Sequence, residues 1–285
     1  MAPPTDNRSA GCGPCGILRT VDTNPLPLLE RYYDTAPRAT ARTEDLGPLT
    51  LFVAERGWPY YARPRLGLQD VVRREDVVAV LDRQSALSVP RSLEWVHETT
   101  PSLEQAARDA GMSVARCPLL LLDTLTTPTT PAGRVRIVGA DDPDLAAVRA
   151  AIHVSFGAAG TATGPQSVAE RDVAAAGAST SLDTMREAIR AGRSVQVGAF
   201  DDTDGPVGGG SHNPRGDVSE IVGVGVLPAY RRRGLAAAVT ALLARDAAER
   251  GVRTVFCSAE SADVARIYEG IGFRRVGTAC IAEID

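Results

Sequence analysis

The sequence predicts an α/β protein built as two tandem halves of one plan. Three observations lead there. Strand-like and helix-like segments alternate along most of the 285 residues, with apolar positions recurring at a period of two or of 3.6. Residues 219–226 set β-branched residues against glycine, as a buried strand does, Pro228 ends them, and an Ala- and Leu-rich helix pattern follows at 235–250. The halves also echo one another. With Trp95 set against Phe256, 161 residues on, Gly111-Met112 falls without gaps on Gly272-Phe273 and Leu81 on Leu242.

Taken in order, residues 1–25 have the polar, Gly- and Pro-containing composition of a disordered tail. Cys12-Gly-Pro-Cys15 spells a thioredoxin-like redox pair there. No strand precedes it to set the first thiol at a helix start, and no nearby His or Cys completes a metal site. The first unit, 26–123, opens with a helix near 25–33 in which Leu26, Leu28 and Leu29 pack. Residues 49–53 and 58–62 alternate like a hairpin around Arg56-Gly57. Val71, Val72, Val77, Val78, Val80 and Leu81 keep helical spacing over 70–84. A short strand at 93–96, a helix from Pro101 that stops at Gly111, and a strand at 114–123 follow.

Residues 124–133, rich in Thr and Pro, read as a linker to the second unit, 134–285. That unit begins with a strand at 134–138 and a helix at 141–156, then a Gly/Ala/Ser/Thr-rich loop and a helix at 182–191. Strands at 194–200 and 207–212 join at Asp204-Gly205. After the central strand and helix come a strand at 253–257, a helix at 261–270 and strands to 284.

The basic run Arg231-Arg232-Arg233-Gly234 therefore lies on the turn from a strand into a helix. Such a turn gathers unpaired backbone N–H groups and the positive end of the helix dipole. Gly234 lets an anion approach the main chain, and arginines add forked donors suited to phosphate. The chemistry implied is binding of a phosphorylated ligand. Arg231-x-x-Gly234-x-Ala236 after a strand resembles the pyrophosphate loop of GNAT-type N-acetyltransferases, in the tandem form with a degenerate first domain. Ile267-Tyr268-Glu269 and Gly272-Phe273 fall where that family carries its Leu-Tyr-Glu and Gly-Phe signatures.

The resemblance covers roughly 134–285 and implies, for each unit, a mixed, mostly antiparallel sheet flanked by helices. It implies acetyl-CoA as co-substrate and transfer of its acetyl group to a primary amine by direct attack. Arg231, Arg232, Arg233, Gly234, Leu235 and Ala236 would then hold the diphosphate. Main-chain groups of Val224 and Val226 would pair with the pantetheine arm, and a bulge is expected at Gly223 and Gly225. Ser261 stands where the family often has an asparagine that contacts that arm. Tyr268 would be the general acid for the departing thiolate. Glu220 resembles the glutamate base of the histone-acetylating branch, and a carboxylate entering an apolar strand should hold its proton unusually well. His212 is the rival base, because imidazole titrates near neutrality, and Asp217 a third.

At the 161-residue offset the phosphate loop of the first unit becomes residues 70–75, with two carboxylates, no glycine at the key place, and Ala107 where Tyr268 stands. The first unit is therefore no second catalytic centre. A non-catalytic acyl-CoA-binding or sensor protein is the alternative from another class. The bilobal plan also resembles mycothiol synthases, which makes a small aminoglycoside-like acceptor conceivable, alongside a peptide amine.

Composition narrows the partners. Apolar residues make up 44%, and the net charge of −4 argues against nucleic acid. All 31 basic residues are arginine, so no lysine chemistry is available. The longest apolar run, at 118–122, is too short for a bilayer, and no secretory signal is apparent. A cytoplasmic monomer or homodimer is expected. His97, His153 and His212 lack ligand spacing, so no metal is expected. Cys117, Cys257 and Cys280 sit in apolar strand contexts as buried thiols.

Overall fold

The computed structural model describes residues 24–57, 59–126, 134–177 and 179–284. The Cys12/Cys15 pair, most of the expected tail, Trp58 of the expected hairpin and most of the 124–133 linker lie outside these residues. The N-terminal half contains α1 (Leu26–Thr35), β1 (Ala41–Leu46), β2 (Leu49–Ala54), β3 (Ala62–Pro64), α2 (Arg74–Ala86), β4 (Ser92–Val96), α3 (Ser102–Asp109) and β5 (Ser113–Leu122). The C-terminal half begins with β6 (Val135–Val138), α4 (Leu145–Phe156), α5 (Val168–Ala176) and α6 (Ser179–Arg190). It continues through β7 (Val195–Asp201), β8 (Gly205–Arg215), β9 (Val218–Val226), α7 (Leu235–Glu249), β10 (Thr254–Ser258), α8 (Ala262–Glu269) and β11 (Phe273–Glu283).

Local chemistry accounts for the boundaries. Helix α2 starts later than its apolar spacing suggests, because Asp76 accepts from the Arg73 N–H at 2.8 Å and caps it there. Helix α4 likewise starts after its acidic approach, where Asp142 and Asp144 bind the Arg136 guanidinium instead of turning with the helix. Helix α5 lies within the expected loop, and Ser167 and Glu170 form its capping box. Strand β1 carries no apolar alternation in the sequence, because its residues are polar and it pairs on one side only, at the sheet edge. The hairpin partner of β2 is displaced to β3, with Leu51 opposite Ala62.

The strands form a single sheet in the order β1-β2-β3-β4-β11-β5-β10-β9-β8-β7-β6. Only β3–β4 and β9–β10 are parallel, so the sheet is mixed and mostly antiparallel, as expected. Each half follows one plan: a parallel pair joined through a helix, a second helix, then a long last strand. Helices α2 and α7 begin 161 residues apart, at Arg74 and Leu235, matching the sequence echo.

The last strands are exchanged. Strand β11 lies between β4 and β5, and β5 between β11 and β10, so each half is completed by a strand of the other. The central pair runs from Phe273 opposite Leu122 to Glu283 opposite Ser113. At its start, Gly272 lies so close to Thr124 that a Cβ would fall 1.7 Å from the Thr124 carbonyl oxygen. That contact, with φ at +107°, requires the glycine of the Gly-Phe pair.

Helix α1 ties the halves together. Tyr32 and Tyr33 meet Phe256 of β10 edge-on, with centroids 5.0 and 5.4 Å away. Burying such an aromatic side chain contributes about 2 to 3 kcal/mol. Among the described residues no helix is long and apolar enough to cross a membrane.

Candidate active site

Strands β9 and β10 pair at only three positions, Thr254 with Val218, Val255 with Ser219 and Phe256 with Glu220. Beyond Glu220 they part. Against β8, the register of β9 slips between Gly209 and Ser211, where β9 carries one residue more, and Gly223 sits at φ +63°. This is the expected bulge, and it bends β9 away from its neighbour. Gly225 is needed for a different reason. A Cβ there would fall 2.0 Å from Ser155 Oγ, so only glycine lets α4 close on the bent strand.

The parting strands leave a cleft of about 880 Å³. Its floor is β9 from Ile221 to Val226, and its walls are the end of α4, the start of α7 and the face of α8 bearing Val264, Ile267 and Tyr268. Val224, Val226, Gly234, Leu235 and Ala236 all line it. Gly234 precedes α7 with φ +75°, a conformation open to glycine.

The three arginines are not equivalent, which corrects the expectation that all of them face a diphosphate. The Arg231 guanidinium donates to the carbonyls of Val226 (3.1 Å), Ala162 (3.1 Å), Ser155 (2.9 Å) and Ala158 (2.7 Å). It clamps the loop after α4 to the end of β9. Arg233 pairs with Asp201 at 3.1 Å and lies 4.9 Å over the Tyr230 ring, outside the cleft. Arg232, exposed and at φ +65°, is the arginine that lines the cleft without such ties.

Tyr268 lines the cleft and packs against Phe273 at 5.8 Å. Burial pushes its phenol well above the ordinary value, so it stays protonated. Ser261 is spent elsewhere: its Oγ accepts from the Val264 N–H as the N-cap of α8, and it does not line the cleft. Ser258 and Glu260, which the sequence did not single out, do.

Glu220 lies just behind the cleft, in a small chamber that shares Ser258 and Ile281 with it. Tyr33 Oη donates to Glu220 Oε1 at 3.2 Å. Burial, followed by the charge of Glu94, raises Glu220 to about 8, in the direction expected of a carboxylate entering an apolar strand. Asp217, by contrast, is held below the carboxylate range by its hydrogen bond from Arg253 at the outer end of the strand.

His212 is fully buried and lines neither cavity. Its Nδ1 meets Ser219 Oγ at 2.9 Å and its Nε2 meets Asp246 Oδ2 at 2.9 Å. Burial lowers its pKa, so both ring nitrogens serve a neutral core network. This corrects its place as rival base. It also shows a Ser–His–Asp arrangement that the sequence did not reveal, sealed under α7 where no substrate reaches it.

The comparisons agree with this geometry. A model of the acetyltransferase (GNAT) family matches residues 169–273. The fold recurs in solved structures. A GCN5-related N-acetyltransferase from Kribbella flavida is similar at 21% identity and TM-score 0.66, covering 92% of this chain and 96% of that one. A GCN5-related N-acetyltransferase from Sphaerobacter thermophilus is similar at 17% identity and TM-score 0.53, over 84% and 81% of the two chains. A GCN5-related N-acetyltransferase-like protein from Streptococcus suis is similar at 12% identity and TM-score 0.53, over 90% and 99%. The comparison with curated proteins finds no match.

At the matching place in the N-terminal half, an open hollow of about 920 Å³ lies at the start of α2, but Asp70 and Asp76 line it, which does not suit a phosphate. Asp76 also caps α2 by accepting from the Arg73 N–H, whereas Gly234 precedes α7. His97, Glu104 and Cys280 place ligand atoms within 4.8 Å of one another. That cluster does not suit a cation, because the Arg116 guanidinium already bonds Glu104 and burial pushes the Cys280 thiol up to about 11.

Proposed function

We propose that the protein transfers an acetyl group from acetyl-CoA to a primary amine by direct attack of the amine on the thioester. The observation that carries this reading is the parting of β9 and β10. It opens the main chain of β9, the start of a 15-residue helix and the Tyr268 phenol onto one space. The two halves are then tandem units, 26–123 and 134–285, of which the second is catalytic.

The residues present fit such a co-substrate. Main-chain groups at Val224 and Val226 would hold the pantetheine arm where the bulged strand parts from β10, apart from the Val226 carbonyl, which already accepts from Arg231. The first turn of α7, with Gly234, Leu235 and Ala236, would take the diphosphate, and Arg232 adds charge there. Arg231 fixes the wall rather than the ligand. Bound acetyl-CoA supplies the activated acyl group.

The chain's own side chains move the protons. Glu220 accepts the proton of the amine from the chamber behind Ser258. Tyr268 donates to the departing sulfur. Its phenol is a weak acid in this setting, but the same exclusion of water raises the proton affinity of the thiolate. The acceptor is a small-molecule or peptide amine, in the cytoplasm.

Calorimetry with acetyl-CoA tests the reading first. Wild type should bind, and Gly234→Asp, which sets a carboxylate at the start of α7, should not. In an amine screen Tyr268→Phe should keep binding and lower kcat by about 100-fold, the usual weight of a general acid. Binding with no turnover on any amine would favour a sensor, and absence of binding would end the acetyl-CoA reading.

A further inference from the structure

The chamber behind the cleft has a volume of about 30 Å³. It brings Tyr33, Arg63, Glu94 and Trp95 of the N-terminal half to Glu220 of the C-terminal half. This is room for one water. Two donors on its walls have no partner among the described residues, Arg63 Nε and Trp95 Nε1, and their side chains are 1% and 2% exposed. A water in this space would accept from such a donor and from the protonated carboxyl and would donate to the ionised one, which satisfies groups that burial otherwise penalises.

We propose that Glu94 and Glu220 share one proton across this chamber, so that the N-terminal half supplies the partner that sets when Glu220 can take the proton of the acceptor amine. This rests on the acetyl-transfer reading above. Two carboxylates around one water-sized space do not both ionise readily, because neither is well solvated and their charges repel.

The surrounding groups keep a proton on the pair at neutral pH. Burial raises Glu94 to about 7, against the pull of Arg63 and the hydrogen bond from Tyr61. Glu283 of β11 adds repulsion. On the other side, Tyr33 and the cations Arg63 and Arg215 draw Glu220 down, less than burial and Glu94 push it up. Arg63 cannot neutralise the pair by itself. Its guanidinium bonds Glu30 and lies 4.9 Å over the Tyr33 ring, so its charge is divided.

The protons balance. As the C–N bond forms and the C–S bond breaks, the ammonium loses two protons. One passes to Glu220, whose own proton crosses to Glu94, and leaves the pair for solvent. The other replaces the proton that Tyr268 gives to the sulfur. Glu94 is a positioning residue here, acting through Glu220.

The test is the pH profile of kcat/KM, with acetyl-CoA and the best amine of the screen, for wild type and Glu94→Gln. Removing the neighbouring charge should move the acid limb about one pH unit toward acid, the scale of coupling between interacting sites. A merely structural role would change the melting temperature or scale the whole curve without moving its midpoint, and superimposable midpoints overturn the proposal. Carboxyl carbon NMR of the substrate-free wild type gives a reading independent of activity and of the variant. Both carboxyl signals should follow the same coupled steps, with the last step far above the ordinary range near about 4. Both titrating in that range would overturn proton sharing. Failure of wild type to acetylate any amine would instead defeat the acetyl-transfer reading, and the NMR titration would still decide whether the proton is shared.

Discussion

Arg231, Arg232 and Arg233 are consecutive, and their surroundings give them three different tasks. Arg231→Ala removes three donor contacts to half-buried carbonyls and one to an exposed carbonyl, so it should lower stability by about 2 kcal/mol, read as a fall in melting temperature. Arg232→Ala should leave melting unchanged and weaken acetyl-CoA binding about fivefold, the worth of one exposed charge contact. The positive charge of the turn was legible in the sequence. The division of labour was not, because the acceptors of Arg231 lie near residues 155–162, some seventy positions away. Glu94 is not singled out in the sequence for a related reason: nothing local distinguishes a strand glutamate at a rim from one facing a small interior chamber. Its raised pKa has a consequence for stability. The unfolded chain ionises this carboxyl near 4.5 while the folded one holds its proton to about 7, so stability is lost as pH rises through that window. Glu94→Gln should therefore be more stable than wild type at pH 8 by thermal melting, and the two should converge below pH 4.5.

At the scale of elements, the cleft depends on β9 bending and α4 following it. Gly225→Ala should cost about 3 kcal/mol, since the new methyl would overlap Ser155 Oγ. Pairing it with Ser155→Ala should recover part of that cost. The two changes should be non-additive in a denaturation cycle, because they share one contact. Most elements were legible where a period and a stop signal coincide, as in β9, Pro228 and α7. The misses have physical causes. Strand β1 is half exposed and polar, so its alternation carries little hydrophobic contrast. Helix α5 buries Arg171, whose guanidinium reaches the carbonyls of Asp204 and Pro206 at 2.8 and 2.6 Å, in place of an apolar stripe. Its start signal was present all the same, in Ser167 and Glu170.

At the scale of the molecule, neither half owns a complete sheet. Residues 134–285 expressed alone should fail to give a cooperative melt, because β10 and β11 would both lose β5. Adding the separately produced N-terminal half should restore it, as measured by circular dichroism. The repeat of the two halves was legible through the 161-residue echo, but the exchange was not, since a strand's own pattern says which face is buried and not which neighbour it meets. The exchange also orders events during synthesis. Strand β11 leaves the ribosome after every strand it must join, so β4 and β5 wait as open edges for the interval in which the whole C-terminal half is made. Such edges invite pairing with other chains. Closure by β11 removes both edges at once and completes the sheet on which the chamber and the cleft are built, so a chain interrupted before that point carries no partly working enzyme into the cell.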